Sequence, residues 1–248
     1  MIDLRRLNSC SMAEQPFRWA LIDGLLSVKD GKALADSFPH DHFKSVEGHD
    51  GEKGYLYEAR CLLGMEDRGP LHPENLSASW RQLANDLLST EYRESMSRLT
   101  SVDLSTATLE VNVFHYGPNA WLGPHLDLED KLITHVLYFN QHWNAQNGGC
   151  LRILGSPELG DILKEISPVV GHSVVLVRSA NSWHAVTRVT DACTESRRSV
   201  TVTFYKPGSQ TSMWPALNDE LLHEYKGDVL RQPSQPLPRR LSRALWTR

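Results

Sequence analysis

From Thr108 onward, the chain alternates between short apolar runs and clusters of Gly, Pro and Asn. The runs are rich in valine, threonine and aromatic residues, and their lengths are those of β-strands. This pattern predicts a sandwich or jelly roll between residues 108 and 206. The runs are TLEVNVFHY, LITHVLYFN, CLRIL, SVVLVR, HAVTRV and SVTVTFY.

The part of the chain before residue 108 has a mixed pattern. Between residues 74 and 99, apolar side chains recur at spacings of three and four residues, which predicts one or two amphipathic helices with Trp80 as a core anchor. Further upstream, PFRWALIDGLLS predicts a strand and a turn, and VKDGKALADSFP a short helix that stops at Pro39. The polar, glycine-containing stretch HDHFKSVEGHDGEKG predicts a loop.

These patterns predict a fold that is mainly β with flanking α, in which the N-terminal helices pack on one sheet. A chain of 248 residues can bury one substantial core, so we expect a single domain over 1–248. Within it, residues 1–107 form an N-terminal mixed α/β support, 108–206 the jelly-roll core and 207–248 a C-terminal cover. The cover is polar and proline-dotted apart from a helix predicted at 216–225.

The composition is that of a soluble globular protein, with 40% hydrophobic residues, 23% charged residues and a net charge of −4. The sequence contains no long block of lysine and arginine, which argues against a nucleic-acid partner. No apolar stretch approaches the about 20 residues that span a bilayer. The four cysteines are far apart and form no CxxC pair, which predicts reduced thiols and a cytoplasmic location. The oligomeric state is left open.

The stretch GPHLDLEDK contains the first candidate site residues, His125 and Asp127. On a strand, residues two positions apart share a face at about 6.6–6.8 Å, so both side chains can reach one cation. His184, in NSWHAVTRV, adds a second imidazole. Two histidines and one carboxylate make the facial triad of non-haem Fe(II) oxygenases, which keeps coordination positions open. We therefore predict that His125, Asp127 and His184 are the metal ligands and catalytic residues.

From about Leu109 to Tyr205, the sequence resembles the Fe(II)/2-oxoglutarate-dependent dioxygenases, in particular their prolyl 4-hydroxylase-like branch. The motifs follow the family's order, with HxD at 125–127, YFNQHWNAQNGGCLRIL at 138–154, HxV at 184–186 and an RxS-hydrophobic-T strand at 197–201. The resemblance implies a double-stranded β-helix (jelly roll) core. It also implies Fe(II) as cofactor, 2-oxoglutarate and O2 as cosubstrates, and ascorbate as an optional reductant. Asp127 argues for hydroxylation, since related halogenases have a small residue there.

The resemblance also implies which residues bind 2-oxoglutarate. In the family, an arginine on the last core strand pairs with the distal carboxylate through a bidentate fork. Arg197 matches this position, and strand alternation places it on the polar face together with Thr201. Arg198 stays the alternative, because the interval AVTRVTDACTES is longer than expected. Tyr138 matches a tyrosine that binds the same carboxylate, and Tyr116 resembles a tyrosine near the metal, with a spacing one residue shorter.

Several residues and motifs favour structural interpretations. His135 faces away from Tyr138, so we expect it to be satisfied by a partner under the helices. The NGG at 147–149 lacks the helix and lysine of a phosphate-binding loop and predicts a turn. Neither G-x-S-x-G nor HExxH occurs, which argues against a serine hydrolase and a zinc protease.

Three functions remain open from the sequence. The preferred one is hydroxylation of an unactivated C–H of a small molecule, such as an amino acid derivative or secondary metabolite, with release of succinate and CO2. The alternatives are a prolyl hydroxylase of a protein or peptide, and a non-catalytic cupin-like metal- or ligand-binding barrel. We expect no nucleic-acid or membrane partner. Loops at 40–70 and 117–124, with the C-terminal cover, are expected to form the substrate pocket.

Overall fold

Eleven strands form one curled antiparallel sheet in the computed structural model, which describes residues 1–50, 53–66, 68–214 and 222–226. The strands are β1 (Trp19–Asp23), β2 (Lys44–Asp50), β3 (Lys53–Leu63), β4 (Thr108–Tyr116), β5 (Trp121–His125), β6 (Lys131–Tyr138), β7 (Leu151–Leu154), β8 (Ile162–Ile166), β9 (His172–Val177), β10 (His184–Val186) and β11 (Arg197–Tyr205). Their order is β1-β9-β6-β11-β4-β3-β5-β10-β7-β8, with β2 added on β3. This topology confirms the predicted jelly roll.

Four helices accompany the sheet: α1 (Leu4–Ser9), α2 (Val28–Asp36), α3 (Ala78–Leu88) and α4 (Thr90–Thr100). Short 3-10 turns cover Pro73–Asn75 and Ala145–Asn147. Serine side chains cap α2, α3 and α4 by accepting a hydrogen bond from a first-turn N–H, and Ser89 both ends α3 and caps α4. The sequence predicted one or two amphipathic helices between residues 74 and 99, and the structure has two, separated by Ser89.

The helices cover the outer face of the sheet. Trp80 is fully buried there, as expected for a core anchor, and it shares a cluster with Val200, Val202 and Phe204 of β11. Side chains alternate across a strand, so the other face of β11 points into the jelly roll. A second apolar cluster lies on that inner side and includes Phe114.

The stretch predicted as a polar loop, residues 40–54, instead contains β2 and the start of β3, which pair with each other. β2 is an edge strand, where polar side chains are tolerated because one side is exposed, and this weakened the apolar signal. One of the glycines that suggested a loop, Gly54, has a packing reason: a Cβ on it would lie 2.2 Å from the Trp121 side chain. β3 is long enough to pair with β4 through Glu58–Leu63 and with β5 through Tyr55.

Two further differences from the expected elements concern β8 and the C-terminal helix. β8 was not predicted; its first four residues are exposed, so it lacks a clear alternation. Of the helix predicted at 216–225, residues 216–221 lie outside the described residues. The described part of the predicted helix, residues 222–225, is not helical: His223 forms an isolated β-bridge to Phe43.

Two properties bear on the expected class of protein. Among the described residues, no helix combines the length and the apolar character needed to cross a bilayer. No disulfide is recorded among the four cysteines, all of which are described residues.

Candidate active site

The structure brings His125, Asp127 and His184 together inside the jelly roll. His125 ends β5 and His184 begins β10, and the two residues are direct cross-strand neighbours with ring centroids 4.2 Å apart. One ligand atom from each residue of the triad lies within 4.8 Å of the other two, and all three side chains are buried. Asp127 is not on the strand as expected, because β5 ends two residues before it.

Backbone carbonyls orient both imidazoles. His125 Nδ1 lies 2.9 Å from the carbonyl oxygen of Gly123, and His184 Nδ1 lies 2.9 Å from that of Ser182. A carbonyl only accepts, so each Nδ1 donates its proton and each ring carries its lone pair on Nε2. Such a bond to the second ring nitrogen is the usual support of a metal-binding histidine.

Two side chains of β6 hold the carboxylate of Asp127. Lys131 Nζ donates to Oδ1 at 2.8 Å, and Thr134 Oγ1 donates to Oδ2 at 2.9 Å. Burial would raise the pKa of Asp127, but the charge and hydrogen bond of Lys131, together with the two neighbouring histidines, outweigh it and hold this pKa well below its usual range. The group is therefore an anion at neutral pH. Each oxygen still has a lone pair for a cation, since a carboxylate oxygen offers two.

The triad opens into a cavity of about 350 Å³. Its inner wall is the polar face of β11, and its outer walls come from the β2–β3 hairpin and from residues 211–213. The pocket walls expected at 40–70 and in the C-terminal cover thus do line the cavity, although the first is a hairpin. From 117–124, only Leu122 does so among the described residues. Leu128, 49% exposed, lies at the mouth.

Arg197 and Arg198 lie on opposite faces of β11. Arg197 is 2% exposed and lines the cavity, with Nη1 donating to Ser199 Oγ at 2.7 Å. Its Nε is buried without a hydrogen-bond partner among the described residues. Arg198 lies on the helix side, with its guanidinium carbon 5.9 Å from the ring centre of Phe38. Only Arg197 is placed to meet a ligand in the cavity.

The other residues predicted to bind 2-oxoglutarate surround Arg197 or lie along the same strand. The guanidinium carbon of Arg197 lies 4.8 Å from the ring centre of Tyr116 and 5.3 Å from that of Tyr138. Burial raises the pKa of both tyrosines to about 12 against the charge of Arg197, so both keep their hydroxyl proton. Tyr116 and Thr201 line the cavity. Tyr138 is not among the residues that line the cavity, and its hydroxyl is buried without a hydrogen-bond partner among the described residues.

The sequence reasoning missed four residues of the site. Ser199 was not assigned a role, although strand alternation puts it beside Arg197 on the polar face of β11. No sequence motif indicates Lys131 and Thr134, which hold Asp127, or Lys44, which lies on the cavity wall. The four-residue interval from Asp127 to Lys131 resembles an ordinary surface ion pair, so only the fold shows its buried position.

Two buried histidines outside the triad, His135 and His115, have structural partners. His135 Nδ1 lies 2.7 Å from the hydroxyl of Tyr92 on α4, which confirms its place under the helices. His115 bonds through its two ring nitrogens to Ser196 and to the carbonyl of Pro39. Burial lowers the pKa of both histidines to about 3, so both are neutral at pH 7.

The turn at 147–149 is also confirmed. Gly148 has a φ of 69°, and a Cβ there would lie 1.9 Å from the carbonyl oxygen of Arg188. The glycine therefore allows the chain to enter β7 close to a neighbouring backbone.

Residues 111–205 match the family model of the 2OG-Fe(II) oxygenase superfamily. Among solved structures, a Pseudomonas putida prolyl-4-hydroxylase is similar at 20% identity and a TM-score of 0.53, over 82% of this chain and 96% of that chain. A Trichoplax adhaerens prolyl hydroxylase in complex with a hypoxia inducible factor peptide fragment is 16% identical with a TM-score of 0.46, over 82% of this chain and 87% of that chain. The epimerase SnoN from nogalamycin biosynthesis is 13% identical with a TM-score of 0.47, over 87% of this chain and 90% of that chain. No curated protein matches the sequence significantly.

The jelly-roll core of this chain, residues 111–205, matches the 2OG-Fe(II) oxygenase superfamily, and its fold is similar to that of a prolyl-4-hydroxylase. The protein is a 2-oxoglutarate-dependent dioxygenase that uses Fe(II), 2-oxoglutarate and O2. The site fits these groups: the triad offers two neutral nitrogen ligands and one anionic oxygen ligand. The unpartnered polar atoms of Arg197 and Tyr138 are the donors that a buried carboxylate requires.

Proposed function

We propose that this dioxygenase hydroxylates an unactivated C–H of a small molecule. The observation that carries the proposal is that the triad and Arg197 line one cavity of about 350 Å³. This volume lies at the lower end of the range for small-molecule sites, about 300–1,000 Å³, so it suits the cosubstrate together with a compact substrate.

In this proposal, the residues of the chain bind and orient the reactants. His125, Asp127 and His184 would hold the iron, and a set of two histidines and one carboxylate keeps coordination positions available for the reactants. When bound, Fe(II) with 2-oxoglutarate and O2 supplies the oxidation: 2-oxoglutarate is decarboxylated to succinate and CO2, and one oxygen atom enters the substrate C–H. The fork of Arg197, with Ser199 and Tyr138, binds the distal carboxylate of 2-oxoglutarate. Tyr116 and Thr201 shape the space beside it.

The walls of the cavity support a small substrate over a polypeptide. The β2–β3 hairpin and residues 211–213 both face the cavity. Ser212 and Met213 are tied to Glu110 of β4, which keeps this segment over the site. We also propose a cytoplasmic location, because the four cysteines are far apart in the sequence and form no CxxC pair.

A second candidate is hydroxylation of proline in a peptide or protein. The observation that favours it is the fold shared with the Pseudomonas putida prolyl-4-hydroxylase. A non-catalytic cupin-like barrel is disfavoured because residues 111–205 match an oxygenase family model.

The test is succinate formation from 2-oxoglutarate by the iron-loaded protein, measured with a set of small acids and amines and with proline-containing peptides. We expect stimulation by a small molecule and none by the peptides. His125→Ala and Arg197→Ala should abolish it, while Arg198→Ala, on the opposite face of β11, should keep it. Stimulation by peptides alone would establish the second candidate. The proposal fails if mass spectrometry detects no tested small molecule that has gained the mass of one oxygen atom.

A further inference from the structure

Lys44 differs from the other two cationic side chains that line the cavity. Lys131 is paired with Asp127 at 2.8 Å, and Arg197 lies at the end assigned to the cosubstrate. Lys44 forms no ion pair with any described residue. Its Nζ donates to the carbonyl oxygen of Met213 at 2.5 Å and lies 3.8 Å from the ring centre of Trp214.

The position of Lys44 in the sheet separates it from the cosubstrate. Lys44, Ala59, Phe114 and Ser199 are successive cross-strand partners on β2, β3, β4 and β11. Strands lie about 4.8 Å apart, so three strand spacings put Lys44 about 14 Å from Ser199 along the curved sheet. A cosubstrate bound between Arg197 and the triad leaves the Lys44 side of the cavity to another molecule.

An aromatic wall lies between these two ends. It consists of Tyr55, Tyr57, Phe114 and Tyr116, all of which line the cavity. The ring centre of Tyr57 lies 5.4 Å from that of Phe114, 5.3 Å from that of Tyr116 and 6.0 Å from that of Tyr55. A wall of contacting rings offers a broad apolar surface on which a flat or apolar group can pack.

We propose that Lys44 binds a carboxylate of the substrate while the aromatic wall packs its apolar body. The substrate class is then a small carboxylic acid with an apolar or aromatic body, oxidised on the part that faces the triad. This inference rests on the proposed function for the reaction, but the binding site itself is defined by Lys44 and the wall.

The electrostatic surroundings of Lys44 support an anionic ligand. Burial lowers the pKa of Lys44, and the charge of Glu110 only partly opposes this. Glu110 is itself occupied, because it accepts from Asn112, Ser212 and the backbone N–H of Met213. The ammonium is therefore partly desolvated and lacks a close counter-ion among the described residues, a state that a bound carboxylate relieves.

The experiment measures binding by calorimetry to the full chain without iron or 2-oxoglutarate. The probes are phenylacetate and 3-phenylpropionate, each compared with its amide. A charge-assisted hydrogen bond predicts that wild type binds the acids at least about tenfold more tightly than the amides. Lys44→Met keeps the aliphatic stem over Trp214 and should lose this preference, and Lys44→Arg should keep it. Lys164→Met, at an exposed position on β8, is the matched control.

Arg197 is the other group that could bind the acids, so the same titrations are made with Arg197→Met. The acid preference should survive in Arg197→Met and disappear in Lys44→Met. The proposal is overturned if the acids bind no better than the amides, or if Arg197→Met rather than Lys44→Met removes the preference. Because the titration contains no iron and no turnover, it can succeed even if the succinate assay fails, and the reverse also holds.

Discussion

Replacement of Arg197 by methionine separates ligand binding from stability. Arg197 is 2% exposed, donates one hydrogen bond to Ser199 and has no ion pair among the described residues. Methionine keeps a long apolar side chain between the rings of Tyr116 and Tyr138. The change removes the charge and the fork but leaves most of the packing.

The expected loss of 2-oxoglutarate affinity follows from the buried position. Removing one partner of a buried ion pair costs about 3–5 kcal/mol, which corresponds to about 150-fold to 5,000-fold weaker binding. Without ligand, Arg197→Met removes an uncompensated buried charge, a gain that offsets the lost cation–π contacts of about 2 kcal/mol. The free energy of unfolding of the ligand-free protein should therefore stay within about 1 kcal/mol of wild type.

The assay combines calorimetric titration of 2-oxoglutarate into the Mn(II)-loaded protein with urea unfolding in the presence and absence of 2-oxoglutarate. Wild type should gain stability with 2-oxoglutarate, and Arg197→Met should not. Arg198→Met is the matched control, because it removes the same charge on the helix side of the strand. Loss of binding in Arg198→Met but not in Arg197→Met would refute the assignment and the argument from strand alternation.

Three further changes test other parts of the structure. Asp127→Asn removes the only anionic ligand of the triad and should weaken Mn(II) binding at least about tenfold, measured by equilibrium dialysis; unchanged binding would place the metal elsewhere. Gly148→Ala should lower the free energy of unfolding by more than about 1 kcal/mol in urea, because the new Cβ meets the carbonyl of Arg188. The pKa of His135 is about 3 when folded and about 6.5 when unfolded, so the unfolded state binds more protons between these values. The contribution of His135 to the free energy of unfolding should be fully present above pH 6.5 and fall by up to about 1.4 kcal/mol per pH unit below it. His135→Gln should show a smaller change of melting temperature with pH.

Much of the jelly roll could be predicted because its central strands are buried on at least one face. The run TLEVNVFHY coincides with β4, and the helical spacing around Trp80 located α3. β2 and β8 could not be found in the same way, since both lie at edges of the sheet, where polar and exposed positions remove the alternation.

The site, too, has residues that the sequence could predict and residues that it could not. The placement of Arg197 could be inferred because strand alternation fixes which residues of β11 share a face, and the structure puts Arg197 in the cavity. The contact between Lys131 and Asp127 and the position of Lys44 depend on long-range pairing of strands, which a single sequence does not encode in any short motif. Tyr138 was predicted to bind the same carboxylate as Arg197; its ring centre lies 5.3 Å from the guanidinium carbon, but it is not among the residues that line the cavity.

The double pairing of β3 limits how this enzyme can be re-engineered. The strand that carries Tyr55 and Tyr57 is hydrogen-bonded to β5, whose last residue is His125. Inserting or deleting a residue in β3 would shift the register of the histidine-bearing strand along with the wall. Directed evolution towards new substrates should therefore succeed by exchanging side chains at fixed backbone positions, whereas grafting hairpins of other lengths from related enzymes should cost metal occupancy.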